Sequence, residues 1–378
     1  PQRTASQLLY LLKQFGIPKF LSCTERLKFH LFKLIGPLVP PLLVPLIRRK
    51  LRQEMEHVLI PSSPQAQLHY FKRRWKEGTR INLNHLGEAV LGEEEALRRL
   101  HVYLHDLANP LIEYISVKIS TLFSQINMVG FIESLEVLKV RLHLLFTTAQ
   151  KHSFQRADGT IAPKFVNLDM EEYKDLELTV AAFQSVLDTP DLHRFSAGIV
   201  LQSYLPDSFE VQKQLTEWAK RRCAQGGAPI TIRLVKGANL AMEKFDSALH
   251  LWEEAPFTTK KETDGQYKKM LEYAVRSENI EAVHIGVASH NLFEIAYALL
   301  LQNEYCLGKR LHFEQLEGMA PPMQRIIHQL SGSMLLYCPE AKERDFHNAV
   351  AYLIRRLDEN CGPENFLRHY FELHPGTP

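Results

Sequence analysis

Residues 198–235 read GIVLQSYLPDSFEVQKQLTEWAKRRCAQGGAPITIRLV. Gly198 to Tyr204 is a short β-prone run, Phe209 to Cys223 repeats its apolar residues at helical spacing, and Ile230 to Val235 is β-prone again. Strand, helix and strand in so short a stretch make a βαβ unit, the element of a parallel sheet. The same alternation recurs on both sides. Further strands are expected at Ile81 to Leu86, Tyr114 to Ile119, Phe165 to Asp169, Val283 to Ala288, Arg310 to Gln315 and Met334 to Cys338. Helices are expected at Glu133 to Lys151, Glu171 to Leu187, Asp264 to Ser277 and from about Arg344 to Asn360. Eight strands in about 300 residues match an α/β chain folded as a (β/α)₈ TIM-type barrel. A doubly wound open sheet is the competing arrangement, but no GxGxxG follows any strand.

Before Arg80 the pattern differs. Residues 1–77 read as helical pieces broken by proline and by the cluster Pro61-Ser62-Ser63-Pro64, a helical arm ahead of a barrel domain at 78–378. The longest apolar run, Leu34 to Ile47, holds four prolines and is too short to span a bilayer. It ends in Arg48-Arg49-Lys50. An arm laid on the protein's own body is the expectation, and an amphipathic segment touching an anionic bilayer is the alternative.

The chain has 378 residues, 45 basic and 43 acidic, for a net charge of +2. Hydrophobic residues at 45% against 23% charged exclude general disorder, and the near-zero charge offers no electrostatic case for nucleic acid. Five dispersed cysteines form no CxxC pair, which fits a reducing compartment without a disulfide framework. No signal peptide is visible, so a cytoplasmic location is expected, peripheral at the inner membrane face if the arm binds lipid. A start at Pro1 reads as a fragment or a processed product.

In a barrel, chemistry gathers where strands end. Those ends carry Glu88, Lys118, Asp169, Gln202, Arg233 with Lys236-Gly237, Ser289-His290-Asn291, and Glu314-Gln315. A charge within a β-prone run is costly unless paired or bound to a ligand. One such cation alone is more often a structural ion pair, but polar groups at nearly every strand end point to a binding site. In AYLIRRLDEN, Tyr352, Arg355, Arg356 and Glu359 share one helical face. Two guanidiniums beside a phenol read equally as a carboxylate clamp or as a solvated basic stripe. Metal-ligand spacings, a GxSxG elbow and a P-loop are absent.

GEAVLGEEEA, ISVKIS, FVNLDMEEYKDLELT, GIVLQSYLPDS, IRLVKGANLAMEKF, VASHN, FEQLEGM and YLIRRLDEN, in this order, resemble the proline dehydrogenase family. The likeness is to the proline dehydrogenase part of bacterial bifunctional proline-utilisation proteins, over residues 80 to 365. It implies a distorted barrel holding non-covalent FAD, with hydride passing from C5 of L-proline to flavin N5 to leave Δ1-pyrroline-5-carboxylate. A membrane quinone would take the electrons, and a linked aldehyde dehydrogenase domain is compatible with the fragment-like ends. By motif, the resemblance assigns Lys118, Arg355 and Arg356 to the proline carboxylate, Asp169 to ordering the site, and Glu88 to pairing with one of those arginines. Tyr352 and Leu316 would pack on the substrate ring, and Arg233 would lie beside N5. Met170, Gln202, Val235, Lys236, Gly237, Ala238, Ser289 and His290 match flavin contacts, as do Thr259, Lys260 and Glu359. Many members carry Tyr or Trp after KGA, where this chain has Asn239. Hydroxyproline oxidation, or a catalytically silent barrel acting as a membrane or partner scaffold, are the alternatives.

Overall fold

A computed structural model describes the chain apart from residues 1, 20, 36–38, 56–57, 61–62, 87–89, 91, 157, 341–345, 363, 370–371, 375 and 377–378, with the backbone alone at 48, 51–55, 346–347, 358–359 and 361. It forms two compact units, Pro1–Val58 and Leu59–Pro378. The Pro64–Lys76 helix, expected in the arm, therefore belongs with the second unit.

The first unit holds helices Gln2–Gln14, Cys23–Ile35 and Pro40–Met55 around a small core of Ala5, Leu12, Phe32 and Val44. Proline was expected to break the 34–47 run. A helix nevertheless starts at Pro40, because Pro40 and Pro41 occupy its first turn, where no N–H donor is needed. Only Pro45 lies inside it. Among the described residues no helix is long and apolar enough to cross a membrane.

The second unit is a closed parallel barrel. Its strands are β1 (Arg80–His85), β2 (Tyr114–Lys118), β3 (Phe165–Asp169), β4 (Gly198–Gln202), β5 (Ile230–Val235), β6 (Val283–Ala288), β7 (Leu311–Leu316) and β8 (Met334–Glu340). Each pairs with the next, and β8 closes on β1 with Leu83 opposite Cys338. That closure rules out the open sheet. Strands such as β4 are buried on both faces, because helices cover the outside and side chains fill the inside. A short antiparallel hairpin, Ser153–Gln155 with Ile161–Pro163, was not expected.

The barrel's centre is polar. Arg233 on β5 donates Nε to Glu314 Oε2 at 2.6 Å and Nη1 to Asp169 Oδ1 at 2.8 Å. Asn82 Nδ2 donates to Ser116 Oγ at 2.9 Å, and Asn167 Nδ2 to Asp169 Oδ1 at 3.0 Å. These groups need room, and two glycines leave it. A Cβ at Gly286 would overlap the Glu314 carboxylate, and one at Gly198 would overlap the Asn167 amide. Gly286→Ala and Gly198→Ala should each lower stability by about 1–3 kcal/mol through overpacking. Chemical denaturation measures this, and an unchanged midpoint would show that the interior has slack there.

Candidate active site

The C-terminal ends of the strands open on a cavity of ≈ 370 Å³, within the size range of small-molecule sites. Its wall takes Val200 and Gln202, Arg233 and Val235, and Glu314 and Leu316, alternate residues that share the inner face of their strands. Of the residues singled out in the sequence, Lys118, Asp169, Met170, Gln202, Arg233, Val235, Lys236, Gly237, Ala238, Lys260, Ser289, His290, Leu316, Tyr352, Arg355 and Arg356 all line it. Thr259 does not. Its hydroxyl caps the Lys260–Ala274 helix in a reciprocal pair with Glu262. Glu88 lies outside the described residues, as does the side chain of Glu359.

The floor is built on Arg233, which is 4% exposed. Burial works against its charge, but Glu314 and Asp169 beside it outweigh that and hold the guanidinium protonated. Burial would push the Glu314 carboxyl up, and Arg233 instead draws it below the usual range. Asp169 also accepts from the Tyr337 hydroxyl at 2.9 Å, and Arg233 lies over the Tyr337 ring at 5.5 Å. Tyr337 lines the cavity and was missed in the sequence.

Lys118 Nζ lies 3.0 Å from Glu171 Oε1. The helix expected to begin at Glu171 starts instead at Leu176, after a short 3₁₀ turn at Tyr173–Asp175. The reason is tertiary. The Glu171 carbonyl accepts from Gln202 Nε2 (3.2 Å) and Asn239 Nδ2 (2.9 Å), and so is not the first helical acceptor. Glu171 is thereby left at the cavity wall.

On the opposite wall His290 Nε2 accepts the Leu316 backbone N–H at 3.1 Å. Burial and the nearby Arg356 lower its pKa to about 4, so the ring is neutral and carries its proton on Nδ1. Among the described residues, that Nδ1 has no hydrogen-bond partner, nor do Gln202 Oε1 and Gln315 Oε1. Buried polar atoms are normally paired, so a donor and two acceptors left open at one cavity fit a polar heterocycle. Lys236 is held by Glu294 (2.5 Å) and Asp264 (2.6 Å). The next residue, Gly237, takes φ +140° with its backbone pressed against the Tyr204 ring, which excludes a side chain there.

On the Phe346–Cys361 helix Tyr352 is buried, Arg356 half-buried over the Tyr352 ring at 5.2 Å, and Arg355 exposed. The helical spacing did bring the phenol and both guanidiniums to one cavity. No group of ligating side chains suited to a metal occurs among the described residues.

A family model described as proline dehydrogenase matches residues 68–369. Human mitochondrial proline dehydrogenase 1 is 29% identical over 163 residues, 42% of this chain and 26% of that protein. Rat hydroxyproline dehydrogenase is 28% identical over 195 residues, 49% of this chain and 40% of that protein. Among solved structures, proline utilization A from Corynebacterium freiburgense is 43% identical with a TM-score of 0.76, over 82% of this chain and 31% of that one. Proline utilization A from Bdellovibrio bacteriovorus, inactivated by N-propargylglycine, is 29% identical with a TM-score of 0.78, over 98% of this chain and 38% of that one. The chain thus spans from about a quarter to two fifths of these relatives.

His85, another cavity residue missed in the sequence, joins the ends of β1 and β8. Its Nε2 bonds Asp106, and its Nδ1 meets Glu340 Oε2 at 3.0 Å. Burial alone would depress its pKa, but the hydrogen bonds to Asp106 and Glu340 outweigh that and raise it to about 9. A raised value stabilises the fold fully below the unfolded pKa of about 6.5, and that contribution fades as pH rises toward 9. Melting temperature measured from pH 6 to 10 should fall across this window in the wild type and fall less in His85→Leu. Parallel curves would exclude His85 as the source.

Proposed function

The chain belongs to the proline dehydrogenase family, and from that premise we propose that it oxidises L-proline to Δ1-pyrroline-5-carboxylate with FAD as its cofactor. The observation that carries this reading is the meeting of Lys118, Arg355 and Arg356 at the cavity whose floor is the Arg233–Asp169–Tyr337 group. Met170, Gln202, Arg233, Val235, Lys236, Gly237, Ala238, Lys260, Ser289 and His290 are the cavity residues that would hold the cofactor, and the likeness adds Thr259 and Glu359. When bound, FAD supplies the two-electron acceptor for the hydride from proline C5 and the route onward to a quinone.

The protein's own part is positioning and charge. Three cations at one carboxylate fix where the substrate ring lies. The amine must lose its proton before C5 can give up a hydride, and nearby positive charge disfavours an ammonium. Asp169, anchored by Arg233 and Tyr337, keeps one orientation and orders the site. Tyr352 and Leu316 present apolar surface for the ring. Arg233, kept protonated, places fixed positive charge where a reduced anionic cofactor gains from it.

A membrane quinone as acceptor and a linked aldehyde dehydrogenase domain are supported by the family likeness alone. Peripheral contact with an anionic bilayer is supported by charge, since residues 1–58 hold ten basic and three acidic side chains. Hydroxyproline oxidation is the second reading, because the rat hydroxyproline dehydrogenase is about as similar as the human proline dehydrogenase.

The purified protein should be yellow and lose its flavin absorbance on adding L-proline. Colourless protein that takes up no FAD on reconstitution would instead support the silent scaffold. Faster bleaching by trans-4-hydroxy-L-proline would favour the second reading. Arg355→Met and Arg356→Met should each raise KM for proline about 10- to 150-fold with FAD retained, the equivalent of about 1.5–3 kcal/mol for a charge-assisted contact. Unchanged KM in both would remove the helix from the clamp.

A further inference from the structure

Lys118 is the one cation of the proposed clamp that stands on the barrel itself, at the end of β2. A lysine ammonium is a point charge on a flexible stem, so something must hold it still if it is to orient an anion. Glu171 touches it at 3.0 Å. The other oxygen of that carboxylate accepts from Ser120 Oγ, and the Glu171 carbonyl accepts from Gln202 and Asn239. The residue is therefore tied at both ends by side chains from the end of β4 and from the connections after β2 and β5.

A carboxylate next to an anion-binding lysine could simply repel the substrate. Two features weigh the other way. The pinned carbonyl and the Ser120 hydroxyl keep the Glu171 carboxylate from following Lys118 toward the cavity. Without Glu171, the ammonium, with a side chain 30% exposed, would be free to turn to water or to Asp169, its register partner on β3. We propose that Glu171 is a positioning residue that sets the Lys118 ammonium for the substrate carboxylate, and that Asn239 in turn sets Glu171. This gives a task to the amide that stands where many relatives carry an aromatic ring. The proposal rests on Lys118 being a carboxylate ligand.

The test uses FAD-loaded protein and two readouts, steady-state kinetics with L-proline and the Kd of cyclopentanecarboxylate from the flavin absorbance. Glu171→Ala should raise KM and Kd together, roughly five- to fiftyfold for a misplaced charge-assisted contact, with a smaller change in kcat. Glu171→Gln should recover most of the loss, because its amide oxygen still accepts from the ammonium. Asn239→Ala and Ser120→Ala should shift Kd in the same direction by less. On a Lys118→Met background, Glu171→Ala should change Kd less than twofold, as expected for residues acting through one contact. An unchanged or tighter Kd in Glu171→Ala, with Lys118→Met still weakening binding, would overturn the positioning role and leave the clamp standing. An unchanged Kd in Lys118→Met would overturn the clamp and this inference with it. Should Glu171→Ala fail to load FAD, unchanged Kd values in both Ser120→Ala and Asn239→Ala would overturn it equally.

Discussion

A guanidinium sealed inside a barrel sets the terms for everything around it. Taking Arg233, Asp169 and Glu314 out of water costs several kcal/mol per ion, and only close, well-made contacts offset that. The interior is accordingly shaped to Arg233. Glu314 comes from β7, Asp169 from β3 and the Ser116 hydroxyl from β2, while the rings of Tyr114 and Tyr337 lie 5.9 and 5.5 Å away. Glycines at 198 and 286 make space that any other residue would fill. The contacts that join the strands across the interior are therefore also those that build the cavity floor.

Above that floor a single device recurs. Lys118 is held by Glu171, Lys236 by Asp264 and Glu294, and His85 by Asp106 and Glu340. In each case the carboxylates include at least one from a different element. Charge at the wall is thus kept in place before any ligand arrives, the condition under which electrostatic stabilisation avoids reorganisation cost. The last helix is arranged differently, with Arg355 exposed and Arg356 half-buried over an aromatic face. The proposed clamp would join a wall braced by ion pairs to a more accessible helix, which suits a ligand that must enter and leave.

The division of labour at Asn239 shows how one local choice reaches the site. It starts the Leu240–His250 helix without capping it, since its side-chain amide goes to the Glu171 carbonyl instead. Glu243, on the same helix, accepts the Tyr173 backbone N–H at 2.8 Å. These two contacts tie the β3 and β5 connections together and explain why the chain after Asp169 runs as a loop for several residues before turning helical.

The sequence by itself determined the strands, the polar residues at their ends and the shared face of the last helix. Position at the strand ends marked Gln202, Arg233 and Glu314, and helical spacing put Tyr352, Arg355 and Arg356 on one side. Local periodicity is enough for that, because a backbone dihedral pattern alone decides which way a side chain points. It could not pair them. Lys118 and Glu171 are 53 residues apart, Arg233 and Glu314 are 81, and Tyr337 and Asp169 are 168. Tyr337 and His85 passed unnoticed for the same reason, each being an ordinary strand residue until β8 closes on β1. Which charges neutralise one another, which polar atoms stay open to a ligand and which glycines are obligatory were decided only by ring closure. Those properties depend on distances of about 3 Å, which no one-dimensional pattern encodes.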